Sequence, residues 1–328
     1  MRKLLFAILL LIQGLYHSYG QDPHFTQFYA NPLFLNPAMA GSAMQHRVIS
    51  NYRNQWPNIS GAYVTYAASY DGFYEEIAGG LGFQVMYDKA GEGDLSTTSG
   101  SFMYSYHLAV SRKFAIKAGL QAQFMQKSID FSRLSWFDMI EPRAGFVNGT
   151  AEPYPDNGFY KSKLVTDFSA GLVGFTEKFY VGVAMHHINQ PNLSFYESNQ
   201  SIIPRKFTAH LGMQLPLDNE RKPKHYFSPN VLFMQQHNFA QFNIGAYYIK
   251  DFLIAGVWYR HTSVGTEGFM ALIGLKKDPF KIGYSYDLTN TDVRIGSISS
   301  HEISISIEFK TYKSPPQKKW IKLICPGF

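Results

Sequence analysis

Apolar and polar positions alternate along most of this chain. Phe114, Ile116, Ala118, Leu120, Ala122 and Phe124 interleave with Ala115, Lys117, Gly119, Gln121 and Gln123. Phe179, Val181, Val183 and Met185 interleave with Tyr180, Gly182, Ala184 and His186, and the run from Ile303 to Phe309 repeats the pattern. A period of two is the mark of a strand with one apolar face. Such segments start near His46, Ala62, Ala78, Ser99, Lys113, Leu164, Lys178, Lys206, His225, Phe239, Phe252, Gly268, Phe280 and His301. That predicts about fourteen strands of roughly ten residues, long enough to cross a bilayer at a tilt. A soluble sandwich would use strands of about five or six residues. After residue 20 no run of apolar residues is long enough for a membrane helix.

The connections separate into two classes. If the first strand leaves the periplasm, inside turns include Ser111-Arg112, Thr176-Glu177, Lys250-Asp251 and Lys277-Asp278-Pro279, with a longer one around Pro216 to Lys224. The outside loops include 126–163, 187–205 and 288–300. Long loops on one side and short turns on the other predict an all-β, closed, transmembrane outer-membrane β-barrel of antiparallel strands. Tyr87, Tyr104, Tyr106, Tyr248, Trp258, Tyr259 and Tyr286 fit aromatic girdles, and Lys117, Gln121, Gln123, His210, Gln214 and Glu308 fall on the lumen face.

The N-terminus adds an address. Met1-Arg2-Lys3, the apolar run Leu4 to Ile12 and the small-residue site Ser18-Tyr19-Gly20 read as a secretory signal ending at residue 20. Residues 21–45 are too long for a mere lead-in and read as an N-terminal periplasmic or plug segment that folds into the periplasmic mouth. The barrel itself spans 46–311, and 312–328 is a short basic C-terminal tail, with both termini expected on the periplasmic side. Composition agrees: 27 Phe, 22 Tyr and 4 Trp make the chain as rich in aromatics as in charged residues, 16% each. The formal charge of +6 belongs to the leader and to the lysines of the tail, which leaves the body near neutral and argues against a nucleic-acid partner. With Cys325 as the lone cysteine, no internal disulfide is possible.

Candidate chemistry is sparse. Asn36-Pro37-Ala38-Met39-Ala40-Gly41 reads as a capped turn, or as a shaped segment that meets a periplasmic partner. Arg47 and Arg53, the latter three residues before Trp56, need carboxylates if they face the lumen. Glu308 and Asp167 are candidates, with substrate binding as the alternative. Asp88, Glu92 and Asp94 surround Gly91 and Gly93 without EF-hand spacing, so a solvated turn is favoured over a calcium site. His186 and His187 are adjacent and on a strand would face opposite sides. No CxxC, HExxH or nucleophile–base arrangement is present, so no enzyme activity, metal or cofactor is expected. The tail is either a free end or a docking element anchored by Trp320.

Several short motifs occur in a fixed order. Gln21-Asp22-Pro23-His24-Phe25-Thr26-Gln27-Phe28 is followed by Asn36 to Gly41 and by Arg53-Asn54-Gln55-Trp56. Gly79-Gly80-Leu81-Gly82, Asp88-Lys89-Ala90-Gly91, Tyr104-Ser105-Tyr106-His107-Leu108 and Ser300-His301-Glu302-Ile303 complete the set. In this order the chain resembles the PorP/SprF family of outer-membrane proteins of the Bacteroidetes type IX secretion system, over essentially the whole mature length. The ending Cys325-Pro326-Gly327-Phe328 is similar to the SprF-type branch. The resemblance implies a non-enzymatic barrel that supports secretion or surface attachment of a client with a type IX C-terminal signal domain, large gliding adhesins among them. It also implies partners in outer-membrane lipid and in periplasmic secretion or gliding components. A passive channel for small solutes is the alternative that a polar lumen permits.

Overall fold

A computed structural model describes residues 22–58, 61–91, 94–141, 145–146, 160–195, 201–218, 223–290 and 299–309. Fourteen long strands follow the period-two segments: β1 (His46–Gln55), β2 (Tyr63–Tyr74), β3 (Gly79–Ala90), β4 (Leu95–Ala109), β5 (Ala115–Asp130), β6 (Tyr160–Phe175) and β7 (Phe179–His186). They continue as β8 (Lys206–Met213), β9 (His225–Gln236), β10 (Phe239–Lys250), β11 (Leu253–Thr262), β12 (Glu267–Lys277), β13 (Phe280–Asn290) and β14 (Ser299–Phe309). Each pairs antiparallel with its sequence neighbours, and β1 pairs with β14 from His46↔Phe309 to Gln55↔Ser300. That last ladder closes the cylinder and leaves no sheet edge along the membrane-crossing height.

The burial pattern is inverted relative to a soluble protein. Outward residues such as Leu120 and Val257 are 66% and 67% exposed, which fits a lipid-facing band. Inward residues are polar and buried: Ser101, Gln123, Asp167, Ser169, Thr208, Asn243 and Ser304 among them. The connections sort as the sequence predicts. The segments 131–159, 187–205 and 291–298 share one end with the two-residue turn His237-Asn238, and the longest connection at the other end is 214–224.

Residues 22–45 are not a lead-in. They thread the lumen as an irregular plug containing two 3₁₀ turns, Phe28–Ala30 and Pro37–Met39, and one short helix, α1 (Pro32–Leu35). Asp22 meets His187, Lys206 and Gln236 at the long-loop mouth, whereas Gly41 lies against Gly80 near the short-turn mouth, where β1 begins. The described chain therefore starts at one mouth and, after Phe309, stops at the other. An expectation that places the segment in the periplasmic mouth is corrected by this threading. The termini themselves, residues 1–21 and 310–328, lie outside the described residues.

Candidate functional site: the plug and its seat

Plug sequence and wall sequence explain each other. The chain between the turns has few repeating hydrogen bonds of its own, so its buried backbone must be satisfied by the wall. Asn36 does much of this. It is fully buried, its side-chain oxygen accepts from Ala38 N at 2.9 Å, and its amide donates to the Leu172 and Val183 carbonyls at 3.3 and 3.1 Å. One residue thus caps a plug turn and holds it to β6 and β7.

Space for that turn comes from glycine. Gly119 and Gly171 are direct cross-strand partners on β5 and β6. A Cβ on Gly119 would stand 2.2 Å from Ala38 N, and one on Gly171 would stand 2.0 Å from the Asn36 side-chain oxygen. A Cβ on Gly80 would meet the Ala40 carbonyl oxygen at 2.2 Å. Gly41 itself has φ +64°, the left-handed region open to glycine. The motif Asn36–Gly41 and the motif Gly79–Gly82 are therefore two sides of one contact. Ser105 Oγ and Lys117 Nζ each donate to the Ala40 carbonyl at 2.6 Å, and Gly41 N donates to Asp71 at 2.8 Å.

The middle of the plug is packed with rings. Phe28 and Tyr29 lie 5.3 and 6.2 Å from Trp258 between ring centroids, and Tyr29 meets Tyr180 at 5.8 Å. The Phe28–Trp258 and Tyr29–Tyr180 pairs are edge-on, an arrangement that stabilises beyond the buried area. Trp258 faces inward here, so it leaves the girdle to which the sequence assigned it. A cavity of about 40 Å³ between plug and β8–β10, lined by Phe25, Phe28, Phe34, Met234 and Gln236, holds a few waters at most.

The long-loop end is ionic. Arg53 and Glu302 are cross-strand partners on β1 and β14, 3.4 Å apart, and Arg53 also reaches Asp287 at 3.3 Å. Arg260 holds Asp287 through two contacts of 2.9 Å. The Glu302 carboxylate accepts from Thr26 N at 2.6 Å and Gln27 N at 3.2 Å, while Gln27 Nε2 donates to the Glu302 carbonyl. Arg53 also contacts the Thr26 hydroxyl. Buried charges persist only when paired and hydrogen-bonded in this manner.

A second ionic contact fixes the first described residue. His187 lies between Asp22 at 2.8 Å and Asp167 at 2.9 Å, and Lys206 Nζ is 2.9 Å from Asp22. Burial disfavours the charged imidazole, but the two carboxylates outweigh it and raise the His187 pKa to about 9. Burial likewise opposes ionisation of Asp22. The charges and hydrogen bonds of His187 and Lys206 prevail and hold its carboxyl well below the usual range.

Several sequence-based expectations change. Both arginines face the lumen; Arg47 pairs with Asp71 at 2.9 Å and stands directly across from Glu308 on β14. Glu308 pairs with Lys281, and Asp167 serves His187. His186 and His187 are both buried, because the chain leaves β7 after His186 and His187 takes φ +57°. Asp94 is paired with Lys89 and Arg133, and Asp88 accepts from Thr65 Oγ1 at 2.6 Å. Glu92 lies outside the described residues. Among the described residues no group of three or more His, Cys, Asp or Glu is placed to hold a metal.

The remaining candidates do not join the plug. Trp56 (φ +60°) packs edge-on against Tyr63, and Gly91 closes a turn by donating to the Gly61 carbonyl at 3.2 Å. His301 points outward to Tyr284 OH at 2.8 Å, although its neighbour Glu302 points in. Trp320 is outside the described residues. Sequence reasoning missed Asp22, Asp71, Lys117, Arg260 and Asp287 as partners. Their only signal was a charged residue at an inward position of a period-two strand or in the pre-barrel motif.

Known proteins supply the comparison. Solved structures share the fold: the Ralstonia pickettii toluene transporter TbuX (12% identity, 84% of this chain and 93% of that one, TM-score 0.53). The CymD monoaromatic hydrocarbon channel matches at 13% identity over 87% of this chain and 94% of its own, with a TM-score of 0.52. The P. putida toluene transporter TodX matches at 10% identity, 86% and 95% coverage, and a TM-score of 0.52. At such identity the likeness is one of fold. No curated protein sequence matches the chain. A family model described as "Type IX secretion system membrane protein PorP/SprF" matches residues 17–307, a range that holds both halves of the plug contact. This outer-membrane barrel belongs to the PorP/SprF family.

Proposed function

We propose that the chain is a non-enzymatic part of type IX secretion, supporting export or surface attachment of a client that carries a type IX C-terminal signal domain. A large gliding adhesin is the client class that its SprF-like ending, Cys325 to Phe328, favours. The observation that carries this reading is the stoppered lumen. Residues of the family motifs themselves, Asn36–Gly41, Gly80, Arg53 and Glu302, hold the plug in place. A barrel with a plug threaded through its lumen suits a membrane platform for proteins better than an open pore. Periplasmic secretion or gliding components are its expected neighbours.

Deletion of the gene, followed by comparison of surface and medium proteins that carry the signal domain, tests this. Loss of at least one such protein from the surface, restored by the wild-type gene, is the expected result. An unchanged set overturns the reading. A passive channel for small solutes is the second reading. It is favoured by the polar inner wall of β2–β5, with Thr65, Ser99, Ser101, Gln121 and Gln123, and by a fold shared with a toluene transporter and a monoaromatic hydrocarbon channel. Conductance of the purified wild-type barrel in planar bilayers, with normal export in the deletion strain, would favour it.

A further inference from the structure

Strand β6 has 16 residues, more than the roughly ten that a tilted crossing requires. It pairs with β5 over its whole length, from Ala115↔Phe175 to Asp130↔Tyr160. Its other edge is used only from Ala170↔Met185 to Phe175↔Tyr180, because β7 stops at His186. A loop replaces the strand for a short distance. Ile188 N donates to the Phe168 carbonyl at 3.0 Å, Phe168 N donates to the Asn189 side chain at 3.2 Å, and Asn189 Nδ2 donates to the Thr166 carbonyl at 2.8 Å. Above Thr166, no described strand pairs with that edge.

Parity fixes what the edge offers. In an antiparallel sheet the N–H and C=O of alternate residues point to the same side. Phe168 and Thr166 point theirs away from β5, so Leu164 and Ser162 do the same. Their side chains lie on the outer face, where Leu164 is 66% exposed and Tyr160 63%. On the inner face, Lys163 stands directly across from Lys127 on β5. Like charges in direct cross-strand register are destabilising, and no ion pair to a described carboxylate relieves either one. Among the described residues nothing compensates this lysine pair, and negative charge brought by a partner would.

We infer that the β6 edge from Tyr160 to Leu164 is a docking strand for an acidic, extended polypeptide segment, which adds to the wall through main-chain hydrogen bonds and sets its carboxylates beside Lys163 and Lys127. Strand addition of this kind uses backbone groups for affinity and alternate side chains for selection. The segment belongs to the exported client, a detail that rests on the secretion reading; the edge and its charge do not.

The test uses the full-length barrel in detergent micelles and two labelled ten-residue peptides, one alternating Glu and Thr, the other Lys and Thr. Fluorescence anisotropy is expected to show the Glu peptide bound at least tenfold more tightly. Leu164→Pro removes an N–H that faces away from β5 and should weaken that binding at least tenfold. Lys163→Glu should shift preference towards the Lys peptide. Heat-modifiable gel mobility reports whether each variant still forms a barrel. Amide hydrogen exchange on the wild type covers the case of a variant that does not fold: Ser162 and Leu164 should exchange fast alone and become protected with the Glu peptide. Equal affinity for both peptides, unchanged binding by a folded Leu164→Pro barrel, or slow exchange before any peptide is added would overturn the docking strand. The last result would mean that the chain itself, or a second copy, already occupies the edge. Normal export in a deletion strain would remove the secretion reading and leave the peptide result standing; absent peptide binding would do the reverse.

Discussion

The two ends of the plug are held by different physics. At the short-turn end, plug backbone lies directly on wall backbone at Gly80 and Gly119, Asn36 fills the space at Gly171, and the charged Lys117 and Asp71 bind plug backbone at Ala40 and Gly41 without pairing to a plug charge. At the long-loop end, the contacts are charges: Glu302, Arg53, Asp287 and Arg260 on one side, and Asp22, His187, Asp167 and Lys206 on the other. Shape complementarity is indifferent to pH and salt, whereas ion pairs near a water-facing mouth respond to both. A plug built this way should loosen from the long-loop end while its seat stays fixed.

The largest effect is expected where an ionic contact is cut inside protein. Arg53→Met leaves Glu302 and Asp287 short of a partner, which costs about 3–5 kcal/mol for a buried pair. The unfolding midpoint in denaturant should fall accordingly, and protease should reach residues near Thr26 first. If the seat were cleaved before the Thr26 region, the proposed order of loosening would be wrong.

The converse substitution attacks the seat. Gly171→Val puts side-chain atoms where the Asn36 amide lies, and overpacking of this kind costs about 1–3 kcal/mol or more. The wall ladders do not depend on that side chain, so the barrel should still form while bilayer conductance rises above the wild-type level. A Gly171→Val barrel with wild-type conductance and wild-type protease resistance would show that the seat does not hold the plug. Asn36→Ala is milder. It strands the Ala38 N–H and removes a second donor from two wall carbonyls that the β6–β7 ladder already pairs, for a loss of about 1–3 kcal/mol, measurable as a shift in the same denaturant midpoint.

The smallest effect is a response to pH confined to the long-loop end. His187 is raised to about 9, so its stabilising charge is fully present below the ordinary histidine value and is lost as pH climbs through 9. Asp22 is lowered, so its contribution is present above the ordinary carboxylate range and is lost only in strong acid. Cleavage near Asp22 should therefore stay flat below about pH 6, accelerate between about 6.5 and 9, and level off above that. His187→Gln should abolish the alkaline step. The Asn36 region should show no step that His187→Gln removes, and such a step there would erase the contrast between the two ends.

The wall was legible in the chain because a period of two states which residues share a face, and the fourteen starts follow from it. What that period does not encode is who stands across the lumen. Arg53 meets Glu302 from 249 positions away and Arg47 meets Asp71 from 24, yet both look alike as inward arginines on β1. Glu302 and Asn36 were singled out as motif residues, but their joint purpose needed closure of β1 on β14 and the threading of residues 22–45. His187 escaped for a local reason. Alternation sends adjacent side chains to opposite faces only while the strand continues, and one left-handed residue cancels the rule.

A segment that runs through a closed ring constrains the order in which the molecule is made. The β1–β14 ladder is the seam of the cylinder, and residues 22–45 immediately precede β1 in the chain. Either the stopper is laid down first and the staves are drawn shut around it, or its free end is fed through a finished bore that polar side chains already crowd. The first route asks for no unthreading and makes the seam the final event of biogenesis, so that every completed barrel in the membrane carries its stopper from the start.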